Sequence, residues 1–411
     1  MSAPALPTQQ KKTGWALLWS NLLSEPLFTL YTFLVFVMYK DLGASTFQVA
    51  LLASLKPIIT ILSFYWSAGL KGRARKLKSN VLWAGFLMRA PFLLCFWIDS
   101  VWFLIFAAVN YMFFYRAGLP AWLEILKRNM GESARNHTFS ISSALGYAEG
   151  IVIALACGAM LDRNPGCWQA LFCTAAAIGL VTLFVQSRIV VIEQDEIEKT
   201  PTTMKELLIR PWRDSFRLMK ERLDFSRFQW GFMVSGFGLM LIQPAIPIFA
   251  VDVLGVSHLE MLTAVSIAKG LGFSLSSPIW AKWMGRLHLF KLASLVFVTI
   301  GLMPVLLSFS VWSAAWLYIA YFCYGIGQGG SHLVWNMSGP IFAGKEDSAR
   351  YTGVNVAMAG VRGAVAPPLG GFLAVAIGPI QVLFIGGALC FYSGIRMLQS
   401  KFVKDPLTIK R

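Results

Sequence analysis

The chain has 411 residues, of which 56% are hydrophobic and only 14% are charged. Soluble domains carry about 25% charged residues, so this composition excludes an ordinary soluble protein and predicts a polytopic membrane protein. The net charge of +16 does not indicate a nucleic-acid partner, because the basic residues are concentrated in the loops between apolar runs. The six cysteines follow neither a zinc-binding nor a disulfide spacing, so we expect free thiols and no metal site.

Twelve apolar runs are long enough to cross a bilayer as helices, since about 20 residues span the hydrocarbon core. Each run is continuously apolar rather than alternating at period two, which argues against a barrel. We therefore predict an all-α integral membrane protein with 12 transmembrane helices. In chain order, the predicted spans are 15–39, 46–69, 79–98, 101–123, 137–161, 167–188, 228–251, 258–281, 288–310, 311–335, 351–376 and 379–398.

The distribution of Lys and Arg predicts the orientation of these spans. With the N-terminus in the cytoplasm, nearly all bases fall in cytoplasmic segments, and the outer loops hold only Lys40 and Arg163. This pattern follows the positive-inside rule. We therefore expect a multi-pass plasma-membrane protein, in the inner membrane if the source is bacterial, with both termini in the cytoplasm.

The second half of the chain repeats the first. One constant shift superimposes Lys56 on Lys269, Gly72 on Gly285, Pro91 on Pro304 and Gly150 on Gly363. The repeat predicts two pseudo-symmetric six-helix bundles, an N-terminal half over 1–188 and a C-terminal half over 228–411. Between them we expect a cytoplasmic linker, 189–227, whose basic second part has apolar residues at helical spacing and suits a membrane surface.

Two six-helix halves joined by a long linker resemble the major facilitator superfamily. The loops "GLKGRARKLK" (Gly69–Lys78) and "KWMGRLHLFK" (Lys282–Lys291) match two family loops in position and basic character, although the family's acidic residue is absent. "GVRGAVAPPLGG" (Gly360–Gly371) is similar to a Gly/Pro-rich helix of the family. The resemblance implies a secondary transporter that works by alternating access, with gating-loop arginines at Arg73, Arg75 and Arg286.

Seven Lys, Arg and Glu side chains lie within the predicted spans, where each costs roughly 2.5–3.5 kcal/mol on insertion scales. They are Glu25, Lys56, Arg89, Arg116, Glu149, Lys269 and Arg362. Five bases against two acids leave cationic groups without a protein counter-charge. A bound anion is one way to neutralise them, and deprotonation or deep water are the others.

The buried charges supply the candidate site. We expect substrate contacts from cations and from polar side chains that could line a cavity: Lys56, Lys269, Arg362, Arg116, Asn110, Gln243 and Tyr324. The family resemblance places Lys56 opposite Arg362, and Glu149 opposite Lys269 as a salt bridge. Glu25, which precedes Pro26, is a candidate proton or substrate site. Arg89 is expected to be a packing or lipid contact.

Helix-breaking residues accompany these charges. The segment "QPAIP" (Gln243–Pro247) is predicted to interrupt the seventh span, and Pro367 and Pro368 to interrupt the eleventh. Pro57, next to Lys56, leaves a backbone carbonyl without its usual donor. Such freed backbone groups are tolerated beside cavities.

The leading hypothesis is a secondary active transporter that moves a small organic anion. A proton-driven exporter of amphipathic compounds is one alternative, favoured by the aromatic content of 14%. A transport-inactive sensor or scaffold acting through the linker is another. No cofactor is predicted, and proton symport through Glu25, antiport and facilitated diffusion are all left open. The expected partners are an anionic solute and the bilayer, with a monomeric chain. No nucleophile–base pair, metal cluster or phosphate-binding loop emerges, so no enzyme is predicted.

Overall fold

The computed structural model describes residues 6–68, 74–191, 213, 215–284, 286–344 and 348–404. Throughout these residues the regular secondary structure is helical and no strand occurs. The all-α fold class is therefore confirmed. Arg73 and most of the predicted linker, residues 192–212 and 214, lie outside the described residues.

Apolar runs of this length form helices because the backbone then satisfies its own hydrogen bonds. The described part of the chain contains fifteen α-helices with assigned bounds. The first seven are α1 (Leu6–Lys40), α2 (Thr46–Ala68), α3 (Ala74–Leu87), α4 (Ala90–Leu93), α5 (Val101–Asn129), α6 (Glu132–Arg163) and α7 (Trp168–Ser187). The others are α8 (Leu223–Leu241), α9 (Ala245–Ile248), α10 (His258–Leu262), α11 (Lys269–Met284), α12 (Leu289–Ser308), α13 (Ala315–Ala343), α14 (Ser348–Ala376) and α15 (Pro379–Leu398). Residues 215–221 form a further short helical stretch.

Nine helical segments of the described chain are long and apolar enough to cross a membrane. The protein is thus a multi-pass membrane protein. Helices α2, α11 and α13 cover most of the predicted spans 46–69, 258–281 and 311–335, but they are not among these nine. The twelve-span arrangement in two bundles stays a prediction.

The chain forms two compact units. The first unit comprises Met1–Ala44, Ile59–Pro201 and Ser257–Leu259, and the second comprises Ser45–Ile58, Thr202–Val256 and Glu260–Arg411. In the first unit, α1 packs against α5, α6 and α7, while α3 packs against α5 and α7. Phe92 stacks on Phe172 at a ring separation of 5.4 Å in the core of this unit.

In the second unit, α12 packs against α13 and α15, and α8 packs against α14 and α15. Small residues let these helices approach closely, as in other membrane bundles. At Gly272 on α11, for example, a Cβ atom would lie only 2.1 Å from the carbonyl oxygen of Phe322 on α13. The aromatic rings of Phe225 and Phe228 pack against the ring of Phe342 in the core of the second unit.

The predicted helix break at Gln243–Pro247 is confirmed, because α8 ends at Leu241 and α9 begins at Ala245. The predicted break at Pro367 and Pro368 is wrong: both prolines lie inside the continuous helix α14. Pro57 likewise lies inside α2. Membrane helices tolerate proline where neighbouring groups satisfy the freed backbone.

Candidate functional site

A cavity of about 390 Å³ lies within the first unit, between α1, α3, α5, α6 and α7. Its lining is aromatic over much of the surface, with the rings of Phe28, Tyr111, Phe114, Tyr115, Trp122, Phe139 and Tyr147. Its polar lining comes from Ser20, Asn21, Ser24, Glu25, Arg89, Ser142 and Gln186. The cavity therefore combines an apolar, ring-rich wall with one acid and one base.

Glu25 reaches the cavity from the middle of α1. Its Oε1 accepts a hydrogen bond from Thr29 Oγ1 at 3.1 Å. The carboxyl group lies against Gly146 and Gly150 of α6, and a Cβ at Gly150 would approach Oε1 to 2.8 Å. The two glycines therefore create the space that the carboxyl group occupies.

Glu149 is the second acid near membrane depth in this unit. It is half-buried, and its Oε2 has no hydrogen-bond partner among the described residues. Its neighbour in the sequence, Gly150, packs against the Glu25 carboxyl group, so the two acids belong to the same part of the unit. The predicted salt bridge from Glu149 to Lys269 stays a prediction.

Arg89 is only 1% exposed and lies between α3 and α4. Its Nη1 donates to the Gly85 carbonyl and its Nη2 to Ser24 Oγ, both at 2.8 Å. Of the two expected roles, packing or lipid contact, the structure supports packing, since the guanidinium joins the end of α3 to α1. Sequence reasoning left Arg89 out of the site, yet it also lines the cavity.

Two predicted contacts on α5 do not line this cavity. Arg116 is exposed, with its guanidinium 5.9 Å from the centre of the Tyr115 ring. Asn110 donates a hydrogen bond to the Leu87 carbonyl and so joins α5 to α3. Their roles as substrate contacts stay predictions.

In the second unit, Arg362 on α14 is 9% exposed. Its Nη1 donates to the Phe232 carbonyl at 2.9 Å, and the guanidinium lies 5.2 Å from the centre of the Phe232 ring. Its Nε has no partner among the described residues. Gly236 on α8 provides the space, because a Cβ there would lie 2.0 Å from Nη1.

Lys269 and Lys56 are both half-buried. Lys269 begins α11 directly after a π-helical segment, Thr263–Ala268, a feature often found at functional sites. A Cβ at Gly363 would lie 2.1 Å from the ring of Pro57. This close contact places α2 against α14, one residue from Lys56 and one from Arg362, and the pairing of Lys56 with Arg362 stays a prediction.

The interior of the second unit is cationic. In the described part of this unit, no carboxylate lies within salt-bridge distance of Lys269 or Arg362. Its described acids lie at helix ends, where Asp224, for example, binds Arg222 at 2.9 Å. A buried charge needs a counter-charge or hydrogen bonds, and the described acids of this unit supply neither cation with a counter-charge.

The other predicted residues have separate positions. Tyr324 on α13 is half-buried and its hydroxyl accepts a hydrogen bond from Gln328 Nε2 at 3.0 Å. Gln243 is exposed in the turn between α8 and α9. Arg286 is also exposed. Arg75 belongs to α3, but its side chain, like Arg73, lies outside the described residues.

Sequence reasoning missed a buried polar cluster in the first unit. His258, 2% exposed, lies with Nδ1 2.9 Å from Asp162 Oδ1 and Nε2 2.9 Å from both Asp41 carboxylate oxygens. Asp162 also accepts from the backbone N–H groups of His258 and Leu259. Both ring nitrogens face carboxylates, so both donate only when the imidazole is protonated. Among the described residues, no three His, Cys, Asp or Glu side chains are arranged to hold a metal ion.

The fold and these buried charges define a multi-pass helical membrane protein with ionisable groups at membrane depth, the class to which transporters belong. A family model described as Major Facilitator Superfamily matches residues 17–361. The chain belongs to this superfamily, and it is therefore a membrane transporter of the major facilitator type rather than an enzyme.

Solved structures of transporters have a similar fold. A variant of the nucleoside transporter NupG is 15% identical, with a TM-score of 0.69 over 94% of this chain and 99% of that chain. A POT family transporter in complex with a thioalcohol-conjugated peptide is 14% identical, with a TM-score of 0.70 over 94% and 95%. The peptide transporter POT in complex with alafosfalin is 13% identical, with a TM-score of 0.70 over 94% and 93%. No curated protein matches this chain. At such low identities the likeness shows the fold alone.

Proposed function

We propose that this protein transports a small organic anion by alternating access of its two predicted halves. The observation that carries the proposal is the cationic interior of the second unit, where Arg362 and Lys269 have no carboxylate within salt-bridge distance in the described part of that unit. An acidic group on a solute supplies the missing counter-charge. Charged residues at this depth typically mark the substrate pathway of a transporter.

Arg362 is the residue most suited to hold an acidic group. Its guanidinium is fixed by the Phe232 carbonyl and the Phe232 ring, which orients the remaining donors. A planar guanidinium can hold a carboxylate or phosphonate through two parallel hydrogen bonds. Lys269 and Lys56 then act as further positive charges, and Lys56 belongs to a helix that packs on the helix of Arg362.

We assign proton coupling to Glu25 in the first unit. Glu25 lines the 390 Å³ cavity, and its carboxyl group packs against Gly150, the residue next to Glu149. Acidic side chains within membrane-spanning helices form proton relays in transporters. In this proposal the first unit binds the proton, while the second unit binds the anion.

The similar structures include transporters of two kinds of solute. Peptides carry a terminal carboxylate, whereas nucleosides carry no acidic group. The cations of the second unit can bind a carboxylate, which a peptide has and a nucleoside lacks. An acidic solute of dipeptide size is therefore the first to test.

A second candidate is a proton-driven exporter of amphipathic compounds. It is favoured by the ring-rich wall of the first unit's cavity, where seven aromatic side chains face the space. The two candidates differ in one requirement: an exporter of neutral or cationic amphipaths has no need of Arg362 and Lys269.

The test is uptake into proteoliposomes that contain the purified protein, with a panel of a monocarboxylate, a dipeptide, a phosphonate and a neutral nucleoside. We expect uptake of at least one acidic solute and a fall of about tenfold or more in Arg362→Gln and Lys269→Gln, since a lost charge-assisted hydrogen bond weakens binding by about this factor. Lys291→Gln, which removes an exposed cation of the same unit, serves as the matched control and should keep full uptake.

Uptake of the nucleoside but of no acidic solute would overturn the proposal, as would acidic-solute uptake that Arg362→Gln leaves unchanged. If Arg362→Gln does not fold, Arg362→Lys keeps the charge and loses the planar donor pair. That variant should retain weak uptake.

A further inference from the structure

A groove of about 120 Å³ lies in the second unit between α8 and α15, away from Arg362 and Lys269, neither of which lines it. It forms where the two helices pack closely: Ser393 Oγ donates a hydrogen bond to the Gly231 carbonyl. A Cβ at Gly231 would lie 2.5 Å from Met397 Cε. The lack of a side chain at Gly231 therefore makes room for the Met397 side chain and lets the two helices approach closely.

Two arginines line this groove from opposite walls. Arg227 belongs to the N-terminal part of α8 and Arg396 to the last turn of α15. Both side chains are exposed, and no salt bridge joins either one to a carboxylate among the described residues. No acid lines the groove. Two guanidinium groups thus share one small space without a counter-charge.

Aromatic side chains accompany both arginines. Trp230 follows Arg227 by three positions and Tyr392 precedes Arg396 by four, so each ring shares a helix face with its arginine. Trp230 is 58% exposed and Tyr392 is 56% exposed. Both rings lie one turn further into helices that are long and apolar enough to cross a membrane. Tryptophan and tyrosine prefer the level of the lipid headgroups, which places the arginines at the depth of the phosphates.

We propose that this groove binds the phosphate of an anionic phospholipid. Arg227 and Arg396 hold the phosphate oxygens through charge-assisted hydrogen bonds, the bond type in which arginine is most effective. Trp230 and Tyr392 flank the glycerol region, and the acyl chains continue along the apolar surface of α8. With the predicted orientation, the site faces the cytoplasmic leaflet, where anionic lipids and basic pockets between helices meet.

A free phosphate-bearing solute offers the same charged group. The exposed rings favour the lipid, because a soluble phosphate gains nothing from two amphipathic side chains at headgroup depth. The experiment therefore needs one arm for each source of phosphate.

The test is the thermal unfolding of delipidated, detergent-purified protein, followed by tryptophan fluorescence. Phosphatidylglycerol in mixed micelles should raise the unfolding temperature by several degrees, and phosphatidylcholine should not. The double variant Arg227→Gln/Arg396→Gln should lose most of this shift. The control Lys282→Gln/Lys291→Gln removes two exposed cations of the same unit and should keep it. Inorganic phosphate at millimolar concentration should cause no shift.

A phosphatidylglycerol shift that survives in the Arg227→Gln/Arg396→Gln protein would overturn the site. An equal shift with inorganic phosphate would overturn the lipid as its occupant. Native mass spectrometry of the wild type tests the site without any variant: phosphatidylglycerol should be retained at about tenfold lower concentration than phosphatidylcholine, as expected for a gained charge-assisted contact. Equal retention of the two lipids would contradict the proposal.

Discussion

The first unit holds buried or half-buried charges of both signs, whereas in the described part of the second unit the buried or half-buried charges away from the helix ends are cations. Glu25 and Glu149 offset Arg89 in the first unit, and Arg89 is hydrogen-bonded to Gly85 and Ser24. In the second unit, Lys56, Lys269 and Arg362 share an interior whose described acids lie at helix ends. The two units therefore differ in the charges that they bury. This difference agrees with the proposal that the first unit binds the proton and the second unit binds the anion.

The largest expected effect comes from removing the titratable acid of the first unit. Glu25→Gln should abolish accumulation of solute driven by a pH gradient, because an amide cannot bind and release a proton. Exchange of labelled against unlabelled solute should continue, since the cations of the second unit are untouched. Proteoliposome accumulation and counterflow, measured on the same preparation, separate the two activities. Undiminished accumulation in Glu25→Gln would contradict the assignment of proton coupling to Glu25.

A second prediction concerns the space around Arg362. In Gly236→Ala, the new methyl group would lie 2.0 Å from Nη1, so the guanidinium must leave the Phe232 carbonyl. We expect anion uptake to fall about tenfold, the value of one hydrogen bond to a charged group. Gly353→Ala on the same helix as Arg362 has nothing within 4 Å of the new atom and should leave uptake unchanged. Equal uptake in the two alanine variants would show that the position of Arg362 does not matter.

A third prediction tests the polar cluster of the first unit by stability. His258→Gln replaces two ring contacts with Asp41 and Asp162 and should cost about 2 kcal/mol, the range for hydrogen bonds to charged groups. His332→Gln, at an exposed histidine, is the control. Thermal unfolding measures the difference, and equal unfolding temperatures for the two variants would contradict the role of the cluster.

The smallest effect is expected at Arg89. Arg89→Met removes the hydrogen bonds to Gly85 and Ser24 but also the cost of burying a charge, so the two effects oppose each other and the unfolding temperature should change little. Anion uptake should also be unchanged, because this arginine fastens α3 to α1 and belongs to the unit with its own acids. If Arg89→Met lost as much uptake as Arg362→Met, the proposal that the anion binds to the cations of the second unit alone would be contradicted.

Several features of the fold could be predicted from patterns along the sequence. Continuous apolar runs predicted the helices, the "QPAIP" segment predicted the break after Leu241, and the repeat predicted that Lys56 and Lys269 are related. These features depend on neighbouring residues or on a constant shift, which a sequence displays directly. The superfamily itself was identified from the order of helices and loops and is confirmed by the family model.

The details of the candidate site depend on contacts between distant segments. The burial of Arg89 depends on its hydrogen bond to Ser24, and that of His258 on Asp41 and Asp162. These partners are far apart in the sequence, so no local pattern connects them. Pro367 and Pro368 lie in an unbroken helix, because local propensity yields to the packing of a membrane helix. One sequence signal pointed to this cluster. Asp41 and Asp162 closely follow the ends of two predicted spans, and His258 begins a third. All three lie on the predicted outer side, so they could have been expected to meet.

The central claim is that the cations of the second unit bind an acidic solute. The most direct measurement is a thermal-shift comparison of purified protein with acidic and neutral solutes of matched size, such as a dipeptide and its C-terminal amide. We predict that the acid raises the unfolding temperature of the wild type and of Lys291→Gln, and that Arg362→Gln loses this rise. A rise of the same size with the neutral amide, or in Arg362→Gln, would contradict the account.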